Sequence, residues 1–333
     1  MRIALDAMGT DDAPSSEVSG AVGALEAADG ELEIVLVGDE EKIRAELEGY
    51  SGYPSERLRI HHASQTIEAE DSPALAVRKK PDSSIVVGLK LQKNGDVDAF
   101  VSGGSTGAVM AASLLILRPL PGVDRPTVGT TLPTARDPLL LLDPGANIDC
   151  KPHHLVQFAQ LGNIYAQDMM GLESPRVGLL NIGEEPEKGD ELAVETYRLL
   201  SETDLNFIGN VEGRGIIGGG VDVLVCDGFV GNVLLKFYES VAEFIVALLR
   251  REIDTVDVEL HLEDAFRVLD YAEYGGAPLL GVNGVSIVCH GQSPPKAIRN
   301  AIGVATQAVR SSMVSHIARE LSGQRASSGA TPR

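Results

Sequence analysis

The sequence predicts a doubly wound α/β protein with a largely parallel sheet, and three observations carry that prediction. Short apolar runs recur along the chain, each closing on a polar, glycine-punctuated turn. Several of those turns open into stretches with helical spacing. The clearest run, Val177-Gly178-Leu179-Leu180, passes without a spacer into Asn181-Ile182-Gly183-Glu184-Glu185-Pro186-Glu187-Lys188-Gly189-Asp190. A continuous apolar run is how a strand buried on both faces reads, and open α/β sheets bind ligands in the loops at the carboxyl ends of such strands.

Taken in order, Met1-Arg2-Ile3-Ala4-Leu5 enters a strand at once and ends in Asp6-Ala7-Met8-Gly9. The next runs close on Val37-Gly38-Asp39 and on Ser102-Gly103-Gly104-Ser105-Thr106-Gly107, from which a helix is expected over Thr106 to Leu117. Further runs precede Asp143-Pro144-Gly145-Ala146-Asn147, Gly209-Asn210-Val211-Glu212-Gly213, Cys226-Asp227-Gly228-Phe229 and Cys289-His290-Gly291. Helices are expected over Asp190 to Leu200 and Phe229 to Arg251. Strands alternating with helices give a parallel sheet whose loops share one rim, where a pocket is expected. Val241, Phe244, Ile245, Leu248 and Leu249 fit an apolar helical face, continued by Leu262, Phe266 and Leu269 in an acidic amphipathic segment. Two readings stand: a core or dimer contact, or surface attachment to a membrane. Glu259, Glu263, Asp264 and Asp270 weigh against the second, because anionic lipid repels them.

With 44% hydrophobic and 23% charged residues in 333, the composition is that of an ordinary globular protein. No linker interrupts the chain before Ser322, so a single α/β catalytic unit, in one lobe or two, is expected over 1–321 and a disordered tail over 322–333. No apolar stretch is long enough to span a bilayer, and a cytoplasmic protein is expected. The net charge of -20 argues against nucleic acid as a partner, since that affinity comes largely from neutralising phosphates with Lys and Arg. Any anionic substrate must be held locally, by backbone N–H groups and a few placed cations. Cys150, Cys226 and Cys289 are too few and too dispersed for a disulfide framework or a zinc site, and Cys226 and Cys289 read as small buried thiols. The adjacent pairs His61-His62 and His153-His154 are expected to point apart, so no metal site is assigned.

Ser102 to Gly107 is the best anion cradle, because glycines let the backbone approach a ligand and the following helix offers unpaired N–H groups. It matches neither the Walker nor the dinucleotide pattern, and Ser and Thr also cap helices for purely structural reasons. Lys188 either neutralises an anion or sits in an exposed ion pair with Glu184, Glu185 or Glu187. His290, where a strand should end, is a proton donor, a phosphate ligand or a structural histidine. Asn232 offers an amide to phosphate or carbonyl, and Asp143, Asn147 and Asp227 share the turn chemistry that orients such groups or merely caps helices. No Gly-x-Ser-x-Gly elbow follows a strand, which argues against a serine hydrolase.

These residues resemble, in order and nearly end to end, the phosphate acyltransferase family of bacterial phospholipid synthesis (the PlsX family). The match runs from Asp6-Ala7-Met8-Gly9 through Ser72-Pro73, Val77-Arg78-Lys79-Lys80, the Ser102 to Gly107 loop, Leu132-Pro133-Thr134 and Gly145-Ala146-Asn147. It continues through Asn181 to Gly189, Asn206 to Gly213, Asp227 to Asn232 and Tyr274 to Gly281. Thr10, Ser105, Pro144 and Asp190 depart from the family's pattern. The resemblance implies a homodimer with a three-layer α/β/α fold, similar to isopropylmalate dehydrogenases and phosphotransacetylases, that uses neither nicotinamide nor metal and has no cofactor. It implies transfer of a long-chain acyl group from acyl carrier protein to inorganic phosphate, by a cytoplasmic enzyme that associates peripherally with membrane. On this reading Lys188 stabilises developing charge, the amides of Gly103, Gly104, Ser105, Thr106 and Gly107 hold phosphate with Asn232, and His290 supports with a proton or hydrogen bond. Asp6, Asp143, Asn147 and Asp227 complete the substrate site. Because the carrier is acidic, Arg78, Lys79 and Lys80 form the densest docking patch, with a solvated helix face as the plain alternative. A phosphotransacetylase using acyl-coenzyme A and a non-enzymatic lipid- or protein-binding scaffold are the competing readings.

Overall fold

The computed structural model describes residues 1–28, 30–253 and 273–328. The chain forms two compact units, one from Met1–Pro126 with Tyr274–Arg333 and one from Thr127–Glu273. The first begins with β1 (Arg2–Asp6), α1 (Ser15–Ala27), β2 (Glu33–Gly38), α2 (Glu40–Leu47), β3 (Leu58–His62), α3 (Pro73–Lys79), α4 (Ser84–Asn94), β4 (Ala99–Ser102) and α5 (Thr106–Ile116). The second holds β5 (Thr127–Val128), β6 (Thr130–Leu132), β7 (Leu139–Leu142), α6 (Pro152–Met170), β8 (Val177–Asn181), α7 (Glu191–Ser201), β9 (Phe207–Glu212), α8 (Gly213–Ile216), β10 (Val223–Val225) and α9 (Gly228–Ile253). The chain then returns to the first unit through β11 (Ala277–Leu280), β12 (Val285–Val288), α10 (Pro295–Arg310) and α11 (Met313–Ser328).

In the first unit the strands run β3-β2-β1-β4-β12-β11, parallel from β3 to β12 and antiparallel at β11. Ile3, Ala4, Leu5, Ala99, Phe100 and Val101 are wholly buried, as expected for strands covered on both faces. Gly88 of α4 lies against the Phe100 ring so closely that any Cβ there would overlap it. On α1, Gly20 gives the same close approach to Ile298 of α10. The chain lays β2 and β3 on one side of β1 and then β4 on the other, so the carboxyl ends of β1 and β4 flank a switch point, where such sheets bind ligands.

The second unit carries the order β6-β7-β10-β8-β9, with β7, β10, β8 and β9 parallel and β6 antiparallel. Leu139, Leu140, Leu141 and Leu142 are wholly buried, and Leu132, Ile216, Val221, Leu224 and Leu235 pack in one core with Leu139 and Leu141. Each such side chain contributes roughly 1.5–3 kcal/mol on burial. The sheets flanked by helices constitute the three-layer α/β/α arrangement.

Several details differ from the sequence expectation. Because the chain leaves the first sheet and returns to it at β11, there are two sheets and hence two rims, one in each unit. Gly209 to Glu212 belongs to β9 instead of a turn: a bulge opposite Val177 and Gly178, with Gly209 at φ +94°, lets Asn210 and Val211 keep pairing with Leu179 and Leu180. β3 had no apolar run to announce it, since Leu58-Arg59-Ile60-His61-His62 is a half-exposed edge strand. A cavity of about 300 Å³ lined by Tyr197, Leu200, Leu205 and Phe207 sits at the amino end of β9, away from the rim. The backbone of α11 stays helical through Ser328, beyond Ser322, where the composition expects order to end. The segment with Leu262, Phe266 and Leu269 lies outside the described residues.

Candidate active site

In the first unit, β1, β4 and β12 bring Asp6, the Ser102 loop and His290 to one rim. Asp6 is buried, and its Oδ2 accepts the Ser102 hydroxyl at 2.7 Å while its Oδ1 accepts the Met8 N–H at 3.1 Å. Ser102 Oγ in turn accepts the Gly104 N–H at 3.0 Å. A Cβ on Gly9 would stand 2.6 Å from the Gly104 nitrogen, and one on Gly103 would stand 2.6 Å from Thr10 Cγ2. The two loops therefore touch through glycine, and Asp6 fixes their contact from beneath. Burial raises the Asp6 pKa, opposed by hydrogen bonds from Ser84, Ser102 and Met8.

Thr106 and Gly107 are exposed at the start of α5, and Ser105 at its N-cap makes no side-chain cap bond. The start of α5 is thus exposed and without a side-chain cap from Ser105, the setting in which helix N–H groups bind anions. His290 is exposed, and its turn is closed by its N–H on Ser293 Oγ and by the Ser293 N–H on its carbonyl, each at 3.0 Å.

Below this rim lies Glu17, which no sequence motif singles out. It is wholly buried on α1, and its Oε1 accepts the Thr10 N–H at 2.8 Å. Among the described residues its Oε2 and Thr10 Oγ1 have no hydrogen-bond partner. Burial, with repulsion from Asp6, lifts its pKa to about 7 against the N–H of Thr10.

In the second unit, Asp143 ends β7 fully buried, its Oδ1 accepting the N–H groups of Gly145 (3.0 Å) and Ala146 (2.8 Å) and its Oδ2 the Asn147 amide (2.7 Å). Burial raises its pKa, opposed by those bonds. Asp143 and Asn147 thus hold the turn together. Asp227 Oδ1 caps α9 by accepting from Phe229 (2.8 Å) and Val230 (3.1 Å). Gly231 packs on the Asp143 carbonyl where no Cβ would fit, and Gly145, at φ +138°, packs beside Asn232, whose side chain is exposed. Structure thus joins Asp143, Asn147, Asp227 and Asn232 around one pair of turns.

Lys188 is exposed on the next turn along, and among the described residues no ion pair or hydrogen bond engages its ammonium. The expected alternative, an ion pair with Glu184, Glu185 or Glu187, is not formed. Two amides missed in the sequence brace this turn: Asn181 Nδ2 donates to the Lys188 carbonyl at 2.9 Å, and the buried Asn210 donates to the Glu185 carbonyl at 2.8 Å. Asp190 caps α7 by accepting the Ala193 N–H at 2.8 Å.

Of the basic trio, Lys80 is committed to Asp71 (2.6 Å) and to the Thr66 carbonyl (2.8 Å), whereas Arg78 and Lys79 are exposed. Cys226 and Cys289 are buried with raised pKa values, chiefly by desolvation, Cys289 to about 12. The rings of His153 and His154 do not diverge as expected but meet at 4.2 Å, because His154 Nδ1 turns back to accept the Lys151 N–H.

A family model described as "Fatty acid synthesis protein" matches residues 1–316. A protein of Desulforamulus reducens named phosphate acyltransferase is 50% identical over 328 residues, covering 96% of this chain and 97% of its own length. The chain belongs to the phosphate acyltransferase family. A namesake from Geobacter sulfurreducens is 48% identical over 329 residues, covering 96% of this chain and 94% of its own length. The resemblance carried by the Asp6, Asn181, Asn206 and Gly275 segments therefore holds, and the chain is an enzyme of this type. Solved phosphotransacetylases share the fold: EutD of Staphylococcus aureus (TM-score 0.62, 16% identity, 93% of this chain and 94% of that one) and a Streptococcus pyogenes enzyme (TM-score 0.62, 18% identity, same coverage).

Proposed function

We propose that this enzyme transfers a long-chain fatty acyl group from acyl carrier protein to inorganic phosphate, giving acyl phosphate for phospholipid synthesis. The observation that carries the site assignment is the ammonium of Lys188, unpaired among the described residues, on a turn braced by Asn181 and Asn210. A phosphate oxygen attacks the thioester carbonyl carbon, the C–S bond breaks, and the carrier leaves as thiolate. Phosphate is a competent nucleophile near neutral pH, and a thiol with a pKa of about 8.5 is a fair leaving group, so positioning and charge stabilisation carry the reaction. In the second unit Lys188 stabilises developing negative charge and Asn232 donates an amide hydrogen bond; in the first, the N–H groups at the exposed start of α5 (Thr106, Gly107) hold an anion and His290 supplies a proton or hydrogen bond. Asp6, Asp143, Asn147 and Asp227 support this by fixing the turns.

Arg78 and Lys79 form the docking patch for the acidic carrier, with Lys80 holding the Asp71 loop. A second copy of the chain covers the exposed stripe of α9 formed by Val233 (56%), Phe237 (68%), Phe244 (66%) and Leu248 (38%), whose spacing gives one helical face. Among the described residues no helix is long and apolar enough to cross a membrane, and the reading places the enzyme in the cytoplasm with peripheral contact to lipid.

The test is thiol release from hexadecanoyl carrier protein and from hexadecanoyl-coenzyme A, each with and without phosphate. Release that needs both carrier and phosphate supports the reading. Preference for coenzyme A would move the enzyme to a phosphotransacetylase role, and no release from folded protein would favour a scaffold.

A further inference from the structure

Three neighbouring turns on the second unit's rim each expose a large apolar side chain beside the polar residues of the candidate site. Ile148 (72% exposed) follows Asn147, Ile182 (81%) follows Asn181, and Phe229 (65%) follows Asp227-Gly228. A lone exposed apolar residue needs no explanation; these three differ in how they are held and where.

Each sits on backbone fixed by a polar residue at, or one or two positions beyond, the end of its strand. Asn181 Oδ1 accepts the Ile182 N–H at 2.8 Å, Asp227 Oδ1 accepts the Phe229 N–H at 2.8 Å, and Asp143 binds the Gly145, Ala146 and Asn147 groups that lead into Ile148. The turns also adjoin one another. β7, β10 and β8 are parallel neighbours, and Val225 pairs with Leu179, so Asp227 and Asn181, each two residues further on, stand level. The Gly228 N–H donates to the Asn147 carbonyl at 2.8 Å, which seats the turn of Ile148 against that of Phe229. Asn181 joins the collar to the cation, holding Ile182 through Oδ1 and the Lys188 carbonyl through Nδ2.

We propose that Ile148, Ile182 and Phe229 are the contact surface for the fatty acyl chain of the thioester and set the enzyme's chain-length preference. The inference rests on the acyl-transfer reading above. The collar is continuous with the turn that presents Lys188, so a chain lying across it delivers its carbonyl end to the ammonium. An anionic bilayer fits less well, because exposed Glu184, Glu185 and Glu187 share the turn of Ile182 and would repel it.

The experiment measures kcat/KM for hexadecanoyl and octanoyl carrier protein in the parent, in the double variant Ile148→Ser/Ile182→Ser and in Phe229→Ser, with melting curves, solution mass and sedimentation with anionic vesicles. These exposed positions tolerate serine without loss of folding. The expected result is a hexadecanoyl-to-octanoyl ratio lowered about tenfold, mainly through KM, with octanoyl turnover within about threefold of the parent. An unchanged ratio overturns the proposal. So does a change in solution mass or in vesicle binding with the ratio intact, which would assign the collar to a second copy or to lipid. If the parent itself transfers neither acyl group to phosphate, it is the acyl-transfer reading that fails.

Discussion

Lys188 shares its turn with three glutamates, yet its ammonium is left unengaged while its carbonyl is held by Asn181. Lys188→Ala should lower kcat by roughly 10²–10³-fold, the usual loss on removing one group that stabilises an oxyanion, without shifting the urea midpoint, because the side chain packs in no core. Lys188→Arg should restore part of that loss. Glu17 makes the opposite prediction, about stability instead of rate. Its folded pKa of about 7 lies above the ordinary 4.5, so the folded state binds the extra proton. Its stabilisation is complete below pH 4.5 and is lost as pH rises through 7, a swing of up to roughly 3 kcal/mol. Glu17→Gln keeps the acceptor for the Thr10 N–H and carries no charge, so its unfolding free energy should fall less steeply than the parent's across that window, where Asp6 and Asp143 still titrate, and exceed the parent's at pH 8. A parent-like pH slope in the variant would place the titration elsewhere.

At the scale of elements, the turn after β7 is a small network rooted in the buried Asp143, and the turn after β8 is braced by Asn181 and the buried Asn210. Asp143→Ala removes three hydrogen bonds inside a buried turn and should cost roughly 2–4 kcal/mol of stability, read by denaturant unfolding; a cost below about 0.5 kcal/mol would mean that the turn forms without it. On α3, reversing charge at Arg78 and Lys79 should raise the carrier KM several-fold at low salt and little at high salt. A salt-independent change would point to altered packing. On α9, Phe237→Asp should convert a dimer to a monomer in light scattering, and an unaltered mass would remove that stripe from the interface.

Across the whole molecule, what the sequence revealed follows from what burial writes into it. Val177 to Leu180, Leu139 to Leu142 and Ile3 to Leu5 are strands covered on both faces, so their apolar runs were legible, and so were the turns that end them. The half-exposed β3 carries no such run and was not. The helices over Thr106–Ile116, Glu191–Ser201 and Gly228–Ile253 lie within a few residues of expectation because their turns and spacing mark both ends. The division into two units was hidden, since the chain returns to its first sheet without any linker composition. For the site, residue types and loops were readable but partnerships were not: nothing in sequence says that Asp6 and Asp143 spend their oxygens beneath the turns, that Lys80 is tied to Asp71, or that Glu17 supports Thr10 from a helix. Those facts depend on contacts between residues far apart in the chain.

The central claim is that phosphate is the acceptor of the acyl group. Phosphorus NMR of a reaction containing hexadecanoyl carrier protein, inorganic phosphate and the purified enzyme tests it most directly. The account predicts one acyl phosphate formed for each carrier thiol released, and neither product in Lys188→Ala on the same timescale. Thiol release with no phosphorus incorporated into product, or free fatty acid formed equally without phosphate, would contradict it.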